Sequence, residues 1–147
     1  MKRAIQHTSS AAVLATGAEL SRRGYDVTFT LGNTRRVDML CSVPDGPSFK
    51  IQVKGISTAN ALFIDKSFFT GDAQSDLFLV VVLVPPLGNA SQLRFFVLSH
   101  ADAKNEFSKM PTHKRDGRPY VTGFGLNWGS IKHYENAWHK FPGIQAK

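Results

Sequence analysis

A chain of 147 residues, 42% hydrophobic and 20% charged, has the size and apolar content of one folded domain, which excludes wholesale disorder. Eighteen Lys and Arg against eleven Asp and Glu leave a formal charge of +7, and the single cysteine, Cys41, excludes an internal disulfide and a cysteine zinc cage. The expectation is a soluble protein of the reducing cytoplasm: the apolar run over residues 77–84 is too short to span a bilayer, and Gln6 to Ser10 interrupt any leader after Met1-Lys2-Arg3.

In chain order, Thr8-Ser9-Ser10 offers hydroxyls suited to capping a helix over residues 11–23, with Val13, Leu14, Ala18 and Leu20 toward one face and Gly24 as its stop. Gly17 weakens that helix. Residues 25–30 alternate and predict a strand, Gly32-Asn33 a turn, and residues 35–43 a second strand. Pro44-Asp45-Gly46-Pro47 is a strong turn signal, followed by a third strand over 49–56 with a clean two-residue period. Within residues 57–76, the stretch 61–69 fits either a strand with a following turn or a short helix. Residues 77–84 are continuously apolar, as in a strand covered on both faces, and 93–99 predict a further strand. Residues 99–109 read as a helix, 112–127 as a basic, glycine-rich loop, and 129–139 as a last helix carrying Ile131, Tyr134, Ala137 and Trp138. The sum is one mixed α/β domain over residues 1–147, built on a central sheet.

Charge is unevenly spread. Six basic against two acidic groups over residues 1–36 give +4, four against five over 37–100 give −1, and eight against four over 101–147 give +4. Basic flanks of this kind suit a polyanion, nucleic acid before an anionic membrane, or serve solubility alone.

The third strand carries the chemistry. Phe49, Ile51 and Val53 point one way, and Lys50, Gln52 and Lys54 the other. On the second strand Val37, Met39 and Cys41 share a face with Asp38 opposite, and the tight turn makes the two strands antiparallel neighbours. Asp38 then faces Gln52 and Lys54. A carboxylate, an amide oxygen and an ammonium suit a hard divalent cation and an activated water: Asp38 binds Mg²⁺, Gln52 Oε1 and the Val53 carbonyl complete the protein ligands, and Lys54 holds or deprotonates the water. As bare strand chemistry, the same residues also fit an ordinary solvated face with a surface ion pair to Arg35 or Arg36.

Glu19 on the first helix, Val37-Asp38 on the second strand and Gln52-Val53-Lys54 on the third resemble the PD-(D/E)XK, or restriction-endonuclease-like, nuclease superfamily. Ala18-Glu19-Leu20 followed by Arg23-Gly24-Tyr25-Asp26-Val27 is similar to the opening of small bacterial and phage members, and the tail with Trp128, Ile131, Tyr134, Asn136 and Trp138 more loosely so. The resemblance implies an α-β-β-β-α-β core over residues 11–99, a central mixed sheet flanked by helices, and Mg²⁺-dependent cleavage of DNA, with Mn²⁺ as a substitute. It makes Asp38 the metal aspartate, Gln52 the holder of the second ligand's place, Lys54 the catalytic lysine and Glu19 an added metal carboxylate. Val37 stands where a proline is usual. Gln52 stands where Asp or Glu is usual, a Q-x-K variant similar to that of some homing endonucleases, and it removes a full negative charge from the metal. That loss keeps open a catalytically inactive nuclease fold that binds nucleic acid or a protein partner.

Arg22, Arg23, Arg35 and Arg36 would flank such a site and grip the strand being cut, and Lys114, Arg115 and Arg118 form a candidate phosphate clamp. The chemistry needs no 2′-OH, so RNA stays open beside DNA; no membrane partner is expected. One site cuts one strand, so cutting both requires a homodimer or higher assembly. His7, His100, His113, His133 and His139 show no metal-like spacing, and Cys41 is expected as a small buried residue.

Overall fold

The computed structural model describes residues 4–30, 37–119 and 125–143. Its first helix, α1 (Ile5–Arg22), starts after Ala4 without a side-chain cap, so Thr8, Ser9 and Ser10 lie inside it rather than at its start. The buried stripe is Thr8, Ala12, Thr16 and Leu20, four residues apart, while Leu14 is 62% exposed. Close approach explains why small residues displace the larger apolar ones expected there. On the strand beneath, a Cβ at Gly55 would lie 2.7 Å from the Thr8 carbonyl oxygen and 2.9 Å from the Ala12 Cβ. Gly17 is likewise covered by the Phe29 ring, which gives the mid-helix glycine a packing reason.

Strands β1 (Asp26–Phe29), β2 (Met39–Ser42) and β3 (Ser48–Ile56) form the expected antiparallel meander. β2 is shorter than the expected strand, beginning only at Met39; residues 31–36 lie outside the described residues. Next come the short β4 (Leu62–Phe63) and a 3-10 turn at Lys66–Phe69, capped by the Asp65 side chain, which accepts from the Ser67 N–H at 2.8 Å. The segment that was open between strand and helix is thus both in miniature. Where the implied core order has an α-helix, this chain has the 3-10 turn, which buries Phe68 and Phe69.

β5 (Leu77–Leu83) runs parallel to β3, and β6 (Arg94–Ser99) runs antiparallel to β5, giving a mixed sheet of order β1-β2-β3-β5-β6. β5 is buried on both faces, as its unbroken apolar run predicts. Phe78, Val80 and Val82 join a core with α1, Trp138 and Phe141; Leu77, Leu79 and Val81 join a second with Leu62, Phe68, Leu126 and Ile131. α2 (His100–Ser108) opens on a capping box in which Ser99 Oγ accepts from the Asp102 N–H and Asp102 Oδ2 from the Ser99 N–H, both at 3.0 Å.

Within the expected loop, β7 (Gly125–Leu126) pairs with β4. The expected last helix is broken into α3 (Trp128–Ile131) and 3-10 turns at Lys132–Tyr134 and Trp138–Lys140. Its pieces follow the edge of β6 instead: the Asn136 N–H donates to the Phe95 carbonyl at 2.9 Å, with Asn136 at φ 54, and Glu135 bridges Phe96. Arg94 locks that edge with two 2.7 Å hydrogen bonds to Glu135. The architecture is a mixed α/β domain, a central five-stranded sheet flanked by helices. Among the described residues no helix is long and apolar enough to cross a membrane.

Candidate metal and nucleic-acid site

β3 is the strand on which the two cores divide. Phe49, Ile51 and Val53 turn toward α1, whereas Gln52 and Lys54 are level with Leu79 and Val81 of β5 and share their face. Continuing the Met39–Ile51 register by one step sets Asp38 level with Gln52, immediately before β2 begins. Asp38 is fixed twice over: its N–H donates to the Ile51 carbonyl at 2.8 Å, and its Oδ2 accepts from the Val53 N–H at 2.7 Å. Its Oδ1 makes no hydrogen bond among the described residues. Because a strand residue's N–H and C=O face the same neighbour, the Val53 carbonyl lies on the same edge of β3 as Asp38. Asp38 is thus held against the Val53 N–H and level with Gln52, with Lys54 two residues further along the same face of β3.

Electrostatics at this spot are strained in one sense. Burial pushes the Asp38 carboxyl above its ordinary range, against the lowering effect of the Val53 N–H. Burial pulls the Lys54 ammonium below its ordinary range, and Lys54 makes no ion pair among the described residues. Gln52 Oε1 is buried with no hydrogen-bond partner among the described residues. A buried acceptor left unsatisfied costs about 1–3 kcal/mol. An oxygen-only donor set of one carboxylate, one orphaned amide oxygen and one strand carbonyl fits a hard cation such as Mg²⁺, which holds few protein ligands and keeps several waters.

The other predicted residues are placed differently. Glu19 is bound by its own helix: Arg22 Nη2 donates to it at 2.6 Å and Arg23 Nε at 2.9 Å, and the Arg22 hydrogen bond leads in holding its carboxyl below the usual range. α1 covers the opposite face of the sheet from Gln52 and Lys54, so the structure does not join Glu19 to that group. Arg23 also lies over the Trp138 ring at 4.5 Å. Arg35 and Arg36 fall outside the described residues. Lys114, Arg115 and Arg118 sit on an exposed turn closed by a His113–Pro119 bridge. Among the described residues no three His, Cys, Asp or Glu side chains form a metal-holding group.

Cys41 is buried, its thiol pushed up to about 12 by that burial, and plays the packing part expected. His100 is likewise structural, with Nε2 2.6 Å from the Phe68 carbonyl and Nδ1 accepting from the Gln74 N–H at 2.9 Å. Two polar partners were not visible from charge counting. Lys50, on the site face, reaches Asp76 at 3.6 Å and Gln74 at 3.1 Å, a contact across 24 residues that only the parallel β3–β5 pairing creates. Asp116 clasps Arg118; their spacing of two residues across a turn was the available signal.

No protein-family model matches this chain, and no curated protein matches it. Among solved structures, that of the bacterial homing endonuclease I-Ssp6803I is similar over 92% of this chain and 90% of its own, with a TM-score of 0.53 and 18% sequence identity. The likeness is one of fold.

Proposed function

We propose that this protein is a Mg²⁺-dependent endonuclease that hydrolyses phosphodiester bonds in DNA. The observation that carries it is the buried Gln52 Oε1, without a partner among the described residues, beside the anchored Asp38 carboxylate and the half-buried Lys54 amine. A fold similar to that of a bacterial homing endonuclease supports it. Asp38 would hold the ion through Oδ1 while the Val53 N–H keeps Oδ2 in place, with Gln52 Oε1 and the Val53 carbonyl as neutral oxygens. Mg²⁺ or Mn²⁺ bound there supplies Lewis-acid activation of a water and neutralises phosphate charge. Lys54, shifted by burial toward the neutral amine, takes the attacking water's proton at Nζ or, when charged, offsets the phosphate. The new bond is water oxygen to phosphorus, and the bond broken is phosphorus to the leaving sugar oxygen. Glu19 stays with Arg22 and Arg23 in this reading and supplies no ligand until those pairs open.

The basic flanks would hold the backbone, and each protomer would cut one strand, so double-strand cleavage needs a second copy. The test is nicking of a supercoiled plasmid with Mg²⁺ or Mn²⁺. Wild type is expected to nick it, Asp38→Ala and Lys54→Ala are expected to lose activity by at least about 100-fold, a typical acid–base contribution, and activity surviving both substitutions rejects the site. A second reading rests on the lone carboxylate of the group: a nuclease fold that binds nucleic acid without cutting. Salt-dependent DNA binding with no nicking under any divalent metal favours that reading.

A further inference from the structure

The basic segment after α2 is not a featureless loop. His113 bridges Pro119, the Lys114 N–H donates to the Arg118 carbonyl at 2.8 Å, the Gly117 N–H donates to the Lys114 carbonyl at 2.9 Å, and Gly117 has φ 83. These contacts close a tight turn, a short finger with Arg115 and Asp116 at its tip, exposed throughout. β7, the next described element in the sequence, pairs with β4 downstream of β3. β4 and β7 bury Leu62 and Leu126 against Leu79 and Val81, on the sheet face that carries Gln52 and Lys54.

Arg118 is unlike a phosphate-gripping side chain. Its Nε and Nη2 both donate to Asp116 Oδ2, at 2.8 and 2.5 Å, and its own N–H donates to Asp116 Oδ1 at 3.0 Å. One carboxylate thus fixes the guanidinium on a side chain that is still 76% exposed. A point charge for the backbone gains little from such a brace, and an acidic neighbour repels phosphate. A planar fork that must meet a base edge gains a great deal, because its ordering is done before contact. With Nε–H and one Nη2–H taken, the second Nη2 hydrogen and the Nη1 hydrogen beside it remain as a parallel pair. That pair matches the O6 and N7 acceptors of guanine in the major groove.

We infer that the 113–119 finger enters the major groove of the DNA substrate and that Arg118, braced by Asp116, reads a guanine there. The inference rests on the endonuclease reading and adds sequence preference to it; Lys114 and Arg115 serve the flanking phosphates.

The experiment selects bound duplexes from a randomised library with the full-length protein in Ca²⁺, followed by affinity measurement on the selected duplex. Wild type is expected to prefer a guanine at one position by about 5- to 150-fold, the range for a bidentate arginine–guanine pair. The preference should weaken when that guanine is replaced by 7-deazaguanine, which lacks N7 and keeps O6. Arg118→Lys keeps the charge and should retain affinity for unselected DNA while losing the preference. Asp116→Asn should weaken the preference without lowering that affinity. Arg115→Ala should instead weaken binding to all sequences alike and reduce its salt dependence. If wild type and Arg118→Lys bind and cut with the same sequence profile, the inference is overturned and the endonuclease reading stands. If wild type neither binds nor nicks duplex DNA, both fall together.

Discussion

Replacing Gln52 with methionine removes the orphaned amide while keeping an unbranched side chain of similar volume on the same face of β3. The buried Oε1 has no partner among the described residues, a state that costs about 1–3 kcal/mol, and an apolar side chain of the same shape does not carry that cost. For a chain of 147 residues, an unfolding entropy of about 2.1 cal/mol/K per residue makes each kelvin of Tm worth about 0.3 kcal/mol. Gln52→Met should therefore melt about 3–10 °C above wild type in EDTA. Its metal response should move the other way. Mg²⁺ at ten times its dissociation constant stabilises a folded site by about 1.4 kcal/mol, or about 4–5 °C here, and this rise should be present in wild type and lost in the variant. Differential scanning fluorimetry with and without Mg²⁺, paired with plasmid nicking, measures both effects. A variant that melts below wild type in EDTA, or one that keeps the full Mg²⁺ response, refutes the assignment of Oε1 as an acceptor held for a cation.

Asp38 yields a pH signature. Its folded pKa stands above the ordinary 3.8 because of burial, so the charged form costs the fold stability at neutral pH, and that cost disappears as pH falls through the raised value. Asp38→Asn, which keeps an acceptor for the Val53 N–H, should melt above wild type at pH 7 in EDTA, with the gap closing on acidification toward 3.8. Lys54 has the opposite sign: its depressed pKa means that the charged amine costs stability below its ordinary 10.5, so Lys54→Met should also be more stable than wild type at neutral pH. Gly55→Ala should destabilise by about 1–3 kcal/mol in urea unfolding, since its Cβ meets the Thr8 backbone at 2.7 Å and α1 must lift off β3. His100→Leu leaves the Phe68 carbonyl and the Gln74 N–H without their partner, and should cost about 2–4 kcal/mol by the same measurement.

Much of this molecule is local, and local features are legible in a sequence. The two-residue period of 49–56 put Gln52 and Lys54 opposite Phe49, Ile51 and Val53, and the Pro44–Pro47 turn brought Asp38 beside them, because pleat and hairpin are properties of adjacent residues. The unbroken apolar run of β5 likewise announced a strand with a core on each side. Contacts between distant segments had to wait for the fold. Close packing against Gly55 turned α1 onto its small residues and kept Glu19 on the far face with Arg22 and Arg23. The open edge of β6 drew residues 135–136 into a bridge and broke the last helix that periodicity predicts. Tertiary structure alone also decided that the Asp38 carboxylate meets a backbone N–H and that Gln52 Oε1 finds no partner among the described residues. Hydrogen-bond satisfaction depends on every neighbour at once, whereas a pattern along the chain records only the nearest ones.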